Sequence, residues 1–391
     1  MNNFTFSAPT KMIFGKDTEK FVGSEALKYS KKVLVHFGGG SVKKIGVYDK
    51  VIKSLKENNI EIFELGGVKP NPRLSLVYEG IDIVKKNDIG LIIAVGGGSV
   101  IDSAKAIAVG AKYDGDVWDF YEYTASPKSA LPVATVLTIP AAGSESSNSS
   151  VITNWDKKLK RGISNDFIIP VFSILNPEST YSLPPYQIAC GAADILAHMM
   201  ERYFVNTKSV DITDRMIEGA IRSHLEFAPK AIKNPTDYDI RAEVMWTGTI
   251  AHNGFLDTGR GGDWASHGIE HELSAIYDIA HGAGLAIVFP AWFEFCAKKN
   301  PSKIVQFGRR VFDIDSTDEQ TIISLTISKL RDFFKELGLA LYLDEIDIDE
   351  TNFKIMAEKA VGKKNGSTIG SYVPLSVSDV VEIYGIASKR S

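Results

Sequence analysis

A continuously apolar run, Gly90-Leu-Ile-Ile-Ala-Val95, limits this chain to a small number of folds. A strand that is apolar at every position and flanked by turn residues is typical of a parallel sheet covered by helices on both faces. The run leads into three glycines and then into a helical pattern from Val100 to Gly110. Strand and helix patterns alternate on both sides of it, which predicts an α/β domain with a parallel, Rossmann-like sheet.

The other elements of this domain are predicted from the same alternation. Strands are expected at 33–37, 61–65, 133–139 and 171–175, and helices at 47–58 and 74–86. Residues 4–14 alternate between apolar and polar around Pro9, which predicts a short pair of strands at an edge of the sheet.

After about residue 180 the pattern becomes helical. Leu183-Pro184-Pro185 fits a helix start, because proline is tolerated in the first turn. Further helices are expected at 188–204, 211–225, 239–253, 267–277, 304–312, 321–337 and 377–388, and no strand is predicted among them. We therefore expect an α/β domain at 1–180 and an all-α domain at 181–391.

The whole-chain composition excludes several classes of protein. With 391 residues the chain suits two domains, and a net charge of −4 without a basic block argues against nucleic acid as a partner. Two cysteines fit a reducing cytoplasm, and the N-terminus does not resemble a signal peptide. No apolar run is long enough to span a bilayer, so no membrane association is expected.

Four of the seven histidines fall in a few short helical segments and point to a metal site. Asp194 and His198 are four residues apart, so on a helix both side chains lie on one face. His267 and His271 have the same spacing, and His281 follows ten residues later. One carboxylate with imidazoles is the ligand set of a catalytic divalent metal. Spacing alone does not indicate which of the four histidines is not a ligand.

Two glycine-rich turns indicate a nucleotide site. Gly96-Gly-Gly-Ser99 joins the strongest strand to a helix, where backbone N–H groups and the helix N-terminus suit a pyrophosphate. It is not a GxGxxG motif, and such a turn is otherwise often only a tight connection.

The second turn, Gly38-Gly-Gly-Ser41, bears on the choice of nicotinamide cofactor. An acidic residue near this point normally binds the adenosine ribose and repels a 2′-phosphate. No carboxylate occurs between Phe37 and Asp49, whereas Ser41, Lys43 and Lys44 suit the extra phosphate of NADP. The alternative is that both lysines are ordinary surface residues.

Taken together, these motifs resemble the iron-containing, or group III, alcohol dehydrogenases, in particular their butanol dehydrogenase and broad-specificity aldehyde reductase branch. The resemblance covers nearly the whole chain. Its motifs are Pro9-Thr-Lys-Met-Ile-Phe-Gly15, Gly38–Gly46, Gly96–Asp102, Leu137-Thr-Ile-Pro-Ala-Ala-Gly-Ser-Glu145, Gly191-Ala-Ala-Asp194-x3-His198 and His267-x3-His271-x9-His281.

The resemblance implies a dehydroquinate-synthase-like fold and a role for each matched residue. Asp194, His198, His267 and His281 would bind the metal, and His271 would lie beside it as a catalytic group. Asp102 would lie on the nicotinamide side and is a second candidate catalytic residue. The implied cofactor contacts are Gly39, Gly40, Ser41, Asn71, Gly97, Gly98, Ser99, Asp102, Thr138, Ser147 and Lys160.

The expected activity is the reversible reduction of aldehydes to primary alcohols such as butanol. A metal would act as Lewis acid on the carbonyl oxygen while a dihydronicotinamide delivers hydride. NADP(H) is favoured and NAD(H) is possible. The family implies Fe²⁺, although the ligand set accepts zinc or manganese. The proton donor is either metal-bound water or His271.

Several alternatives remain open at this stage. One is a zinc-dependent polyol dehydrogenase of the glycerol type, and another, from a different class, is a metal-dependent hydrolase. The hydrolase would leave both glycine-rich turns unexplained, and a non-enzymatic nucleotide-binding module would leave the metal cluster unexplained. An N-terminal edge strand, with the family resemblance, predicts a homodimer.

Overall fold

The computed structural model describes residues 1–362 and 367–388. The chain divides into two compact units. An α/β unit consists of 7–183 together with 234–253, and a helical unit consists of 1–6, 184–233 and 254–391. Within the described ranges, no helix is long and apolar enough to cross a membrane.

The α/β unit is built on a parallel sheet of six strands with the order β1-β8-β5-β4-β2-β3. The eight strands of the unit are β1 (Lys11–Phe14), β2 (Lys32–Gly38), β3 (Glu61–Val68), β4 (Leu91–Gly97), β5 (Val133–Ile139), β6 (Ser149–Asn154), β7 (Leu159–Ser164) and β8 (Phe172–Leu175). β6 and β7 form a separate antiparallel pair.

Helices cover both faces of this sheet. They are α1 (Val22–Ala26), α2 (Ser41–Lys44), α3 (Val47–Glu57), α4 (Leu74–Asn87), α5 (Gly98–Gly110), α6 (Trp118–Tyr121) and α9 (Tyr238–His252). Successive residues of a strand point to opposite faces, so Ile92 packs in the apolar cluster with α4 and α5, whereas Ile93 packs in the cluster with α3. Burial on both faces is why β4 is apolar throughout.

The direction in which the chain adds new strands to the sheet reverses between β2 and β4. From β2 the chain passes to β3 on one side, and it then returns to form β4 on the other side of β2. In open parallel sheets, ligands bind outside the carboxyl ends of the strands at such a point.

The helical unit contains eight α-helices in the described residues. They are α7 (Pro185–Tyr203), α8 (Asp211–Lys233), α10 (Ala265–Tyr277), α11 (His281–Ala297), α12 (Ser302–Val311), α13 (Glu319–Glu336), α14 (Phe353–Gly362) and α15 (Val377–Ala387). α7 begins at Pro185, as the double proline predicted. In the described part of this unit, Ile369 and Leu375 form the single β-bridge, and there is no strand.

Three segments, 1–6, 181–183 and 234–253, belong to a different unit from the one that the domain boundaries 1–180 and 181–391 assign them. Helix α9 is part of the α/β unit, because Thr249 Oγ1 donates to Glu145 Oε1 at 2.6 Å and His252 Nε2 lies 3.1 Å from Ser149 Oγ. The first six residues are part of the helical unit, where the terminal amine of Met1 donates to the carbonyl of Lys208.

The prediction of a strand pair within residues 4–14 was wrong, because Lys11–Phe14 alone forms a strand there. Residues 1–6 are part of the helical unit instead, where the Phe6 and Phe255 ring centroids are 5.6 Å apart. β1 does lie at the edge of the sheet, as expected. The hairpin of β6 and β7 and helices α11 and α14 were not predicted.

Candidate active site

The carboxylate of Asp194 lies in the middle of three imidazoles. Its Oδ1 is 3.6 Å from His198 Nδ1, 3.9 Å from His267 Nε2 and 3.8 Å from His281 Nε2. α7 carries Asp194 and His198, α10 carries His267, and α11 begins at His281. The i,i+4 spacing on α7 therefore produces the shared face that the sequence predicted.

The donor set fits a divalent metal. One donor atom from each of Asp194, His267 and His281 lies within 4.8 Å of the other two. Donors about 2.1 Å from one tetrahedral ion would be about 3.4 Å apart, which is close to the distances found here. His267 Nε2 is buried and has no hydrogen-bond partner, so this nitrogen keeps a lone pair available for a cation.

His198 borders this group of three. Its ring stacks on that of His267, with centroids 4.8 Å apart and planes inclined by 28°. The His198 nitrogen nearest to Asp194 is Nδ1. Its role as the fourth ligand stays a prediction.

His271 lies on the other side of His281. Their ring centroids are 5.3 Å apart, and His271 forms a second close group with Glu270 and His281 rather than with Asp194. Its assignment as a group beside the metal also stays a prediction.

Glu201 holds both the ring of His267 and the start of helix α10. Its Oε1 accepts from His267 N at 3.1 Å and lies 2.8 Å from His267 Nδ1, while its Oε2 accepts from Trp264 N at 2.6 Å. Trp264 has a φ of 62°, in the left-handed region that tryptophan rarely adopts. The carboxylate thus compensates for strain at the residue before the helix that carries His267.

A second carboxylate, Glu270, contacts Nδ1 of His281 and is wholly buried. Sequence reasoning missed both glutamates. A signal existed for Glu201, because it follows Asp194 by seven residues and His198 by three, and these positions share a helix face.

Buried acidic groups also adjoin this site. Asp263 accepts backbone hydrogen bonds from Ser371 and Tyr372, both at 2.6 Å. Burial, together with the nearby charge of Glu201, raises the pKa of Asp263 to about 7. The buried carboxyl groups of this region are those of Asp194, Glu201, Asp263 and Glu270. A bound cation would compensate for their charge.

In the α/β unit, the predicted cofactor residues line one edge of the sheet. Four strands that are neighbours in the order β5-β4-β2-β3 end at Ile139, Gly97, Gly38 and Val68. The residues placed at or just after those ends are Thr138, Gly97, Gly98, Ser99, Gly39, Gly40, Ser41 and Asn71. The two glycine-rich turns follow β4 and β2, the strands on either side of the change of direction.

Close packing explains the glycines of the first turn. A Cβ on Gly97 would lie 2.9 Å from Ile139 Cβ, and a Cβ on Gly98 would lie 2.9 Å from Ala142 Cβ. Helix α5 begins at Gly98, immediately after the strand, so its free N–H groups are at the edge of the sheet. This arrangement suits a phosphate group.

The turn after β2 is open. A Cβ on Gly39 or Gly40 would have no neighbour within 4 Å, and Gly40 has a φ of 107°. Lys43 Nζ lies 4.4 Å from the Tyr48 ring centroid and 3.8 Å from Glu64 Oε2. Lys43 is exposed, as the alternative interpretation expects of a surface lysine, and its role in cofactor binding stays a prediction.

Both carboxylate oxygens of Asp102 accept hydrogen bonds from the protein itself. Its Oδ1 accepts from Ser144 Oγ at 2.6 Å and its Oδ2 accepts from Val151 N at 3.0 Å. Burial raises the pKa of Asp102, while the charges of Lys105 and Lys160 oppose that shift. Its catalytic and cofactor roles stay predictions, as do the contacts of Ser147 and Lys160, which are both buried in this region.

Lys105 is a fully buried cation that sequence reasoning missed. Its Nζ donates to the backbone carbonyls of Ser144, Ser147 and Ser149 at 2.7, 2.8 and 2.9 Å. Burial lowers the pKa of Lys105 to about 8. Lys105 thereby fixes the segment from Ser144 to Ser149, which includes the predicted cofactor contact Ser147.

Replacing Lys105 by methionine should lower the free energy of unfolding by at least about 2 kcal/mol, because several buried carbonyls lose their donor. Urea titration of both proteins measures this difference. Lys112→Met, at an exposed position just after α5, is the matched control and should change little. Equal stability of the Lys105 variant and the parent would contradict this role for the ammonium group.

Comparisons with known proteins agree with this arrangement. Residues 9–177 match the family model for iron-containing alcohol dehydrogenase, and residues 188–388 match the C-terminal model of the Fe-containing alcohol dehydrogenase family. A probable NADH-dependent butanol dehydrogenase 1 from Bacillus subtilis is 44% identical over 98% of this chain and 99% of its own length.

Two further relatives extend the comparison. The NADPH-dependent aldehyde reductase YqhD from Escherichia coli is 36% identical over 92% of this chain and 93% of its own length. The crystal structure of NADH-dependent butanol dehydrogenase A from Thermotoga maritima has a TM-score of 0.95 and 41% identity, covering 100% of this chain and 99% of that one. The chain belongs to the iron-containing alcohol dehydrogenase family.

Proposed function

We propose that this protein is a metal-dependent, NAD(P)(H)-dependent alcohol dehydrogenase that interconverts primary alcohols such as butanol and their aldehydes by hydride transfer. The observation that carries the proposal is the donor group of Asp194, His267 and His281. It occurs in a chain whose α/β unit has glycine-rich turns on both sides of the change in strand direction. A hydrolase would use the first feature and not the second.

The residues of the helical unit would bind and hold the metal. Asp194, His198, His267 and His281 would be its ligands, and Fe²⁺ is the ion proposed. When bound, the metal would supply a Lewis acid for the carbonyl oxygen and the dihydronicotinamide would supply hydride. The contacts of Glu201 and Glu270 with two of the imidazoles restrict how those rings can turn.

The α/β unit would bind the dinucleotide. Helix α5 presents its first N–H groups at the end of β4, where the pyrophosphate would be held. The segment that Lys105 fixes would line the same side of the sheet. These residues bind and orient, and no side-chain nucleophile is needed.

A proton must also be delivered or removed at the substrate oxygen. His271 is the side chain proposed for this step, because it adjoins His281 without belonging to the group around Asp194. An imidazole can hold or release a proton near neutral pH.

For the cofactor we propose a preference for NADP(H), with NAD(H) also accepted. The relative from Bacillus subtilis is named NADH-dependent and YqhD is named NADPH-dependent, so relatives of both kinds exist. The turn after β2 carries no carboxylate and has Ser41, Lys43 and Lys44 instead. This composition is suited to a 2′-phosphate.

Gly39→Asp should shift the preference from NADPH towards NADH. The position is open, so the side chain fits, and a carboxylate there would repel a 2′-phosphate by about 1 kcal/mol or more. A roughly tenfold loss of kcat/KM for NADPH corresponds to about 1.4 kcal/mol. The measurement is kcat/KM with both cofactors.

Gly39→Asn is the matched control for this experiment, since asparagine has nearly the same shape without the charge. It should leave the NADPH/NADH ratio much closer to that of the parent. If Gly39→Asp also leaves the ratio unchanged, this turn does not face the adenosine ribose.

The activity itself is tested by mixing metal-loaded protein, NADPH and butanal and following the absorbance of the dihydronicotinamide. Butanal-dependent oxidation of NADPH is expected, and glycerol with NAD⁺ should be a poor substrate pair by comparison. Faster turnover of glycerol would favour the polyol dehydrogenase. NADPH binding without consumption would favour a binding module, and hydrolysis of an ester without NADPH oxidation would favour a hydrolase.

We further propose a cytoplasmic homodimer. Strand β1 lies at an edge of the sheet and pairs on one side with β8, so its other side is available to a second copy. Cys190 and Cys296 are both free thiols, as is usual in a reducing compartment. The molar mass in solution tests the oligomeric state.

A further inference from the structure

Two buried carboxylates contact the Nδ1 atoms of two imidazoles in the candidate metal site. Glu201, on α7, lies 2.8 Å from Nδ1 of His267. Glu270, on α10, contacts Nδ1 of His281. Their exposed fractions are 1% and 0%, so both contacts are removed from solvent.

These contacts determine which nitrogen of each ring remains for a metal. A carboxylate at Nδ1 accepts the proton there and leaves the lone pair on Nε2. Nε2 is the nitrogen of His267 and of His281 that faces Asp194 Oδ1. Both rings are therefore held in the tautomer and orientation that a metal needs.

We propose that Glu201 and Glu270 are positioning residues that set the affinity of the site for its metal, an inference that rests on the proposed function. Each fixes one imidazole, and each adds a buried negative charge close to the cation. Outer carboxylates of this kind typically change metal affinity by about 10–100-fold when they are removed.

Glu270 is the better residue for a test. Glu201 also accepts from the backbone of Trp264 and His267, so its replacement would disturb the start of α10. A side-chain contact of Glu270 is the hydrogen bond that Ser274 Oγ donates to its Oε1 at 2.5 Å. Replacing Glu270 leaves in place the hydrogen bonds from Trp264 N and His267 N to Glu201 at the start of α10.

The glycine at position 284 makes room for Glu270. A Cβ on Gly284 would lie 2.6 Å from Glu270 Oε1 and 2.7 Å from its Cγ. A Cβ on Gly282 would overlap the backbone of Cys190 on α7. Glycines at these two positions allow the first turn of α11 to bring His281 against both α7 and the carboxylate.

The experiment measures the dissociation constant for Zn²⁺ of the parent and of each variant, by competition with a chromophoric chelator. In Glu270→Gln the amide oxygen can still accept from Nδ1 and its NH₂ can donate to Ser274, so charge is lost while the orientation is kept. We expect about tenfold weaker binding for Glu270→Gln and about 100-fold weaker binding for Glu270→Ala. Gly284→Ala, which removes no polar group, should also weaken binding by crowding the carboxylate.

Glu272→Gln is the matched control, since Glu272 is also fully buried on α10 and is not one of the two carboxylates proposed to hold a ring. Its dissociation constant should stay within about threefold of the parent value. Thermal unfolding of the metal-free proteins provides the second readout. Metal-free Glu270→Gln should unfold at or above the temperature of the metal-free parent, because one of several clustered negative charges is gone.

The results separate this inference from the proposed function. Parent-like Zn²⁺ affinity in both Glu270 variants would overturn the inference, and so would equal weakening in Glu272→Gln. If metal-free Glu270→Gln unfolds well below the parent, the glutamate supports the fold rather than the metal, which also overturns it. Failure of the parent protein to bind Zn²⁺ would count against the proposed function instead.

Discussion

His267→Ala should lose its metal and at least about 10³-fold in turnover, because a Lewis acid contributes several kcal/mol to the transition state of such a reaction. His267 is the proposed ligand with the clearest geometry, since its buried Nε2 faces Asp194 while Glu201 holds its Nδ1. Truncation leaves Glu201 without the ring and leaves the cation one donor short. Elemental analysis together with kcat measures both effects.

Asp194→Asn is the companion variant, because it keeps the shape of the side chain and removes its charge. It should also bind metal more weakly and turn over slowly. A His267→Ala protein that retains stoichiometric metal and normal turnover would contradict the assignment of the site.

His271→Ala should keep its metal and lose about 10²-fold in turnover, which is the usual scale for a general acid or base. The ring lies beside His281 but outside the group around Asp194, so its removal leaves that donor set complete. The pH profile of kcat should change as well, because the group proposed to carry the proton is missing. Metal content and kcat across a pH series provide the measurements.

Metal retention separates this variant from His267→Ala. If the metal content of His271→Ala falls as far as that of His267→Ala, then His271 is a ligand and the division of the four histidines is wrong. If the metal and kcat are both unchanged, the proton travels by another route.

Periodicity predicted those parts of the fold in which one face of an element is buried or a strand is buried on both faces. β4 is continuously apolar because helices cover both of its faces, and the parallel sheet followed from that. Helix α11 was not predicted, because its residues are buried on nearly all sides of the helix. Its sequence therefore has no amphipathic repeat to detect. The hairpin of β6 and β7 is short and rich in polar residues.

Local spacing predicted the site where its residues share one helix, and it could not predict contacts between helices. Asp194 and His198 are near each other because of their i,i+4 spacing. The contact of Glu270 with His281 joins α10 to α11 and depends on the glycine at position 284. Lys105 was missed because lysines are rarely buried, and its carbonyl partners lie more than thirty residues away in the chain.

The most direct test of the account is butanal-dependent NADPH oxidation by protein that has been stripped of metal and then titrated with Fe²⁺ without oxygen. The stripped protein should be inactive, and its activity should rise with added Fe²⁺ to a plateau at about one ion per chain, as a single mononuclear site requires. Full activity in protein that elemental analysis finds free of metal would contradict it.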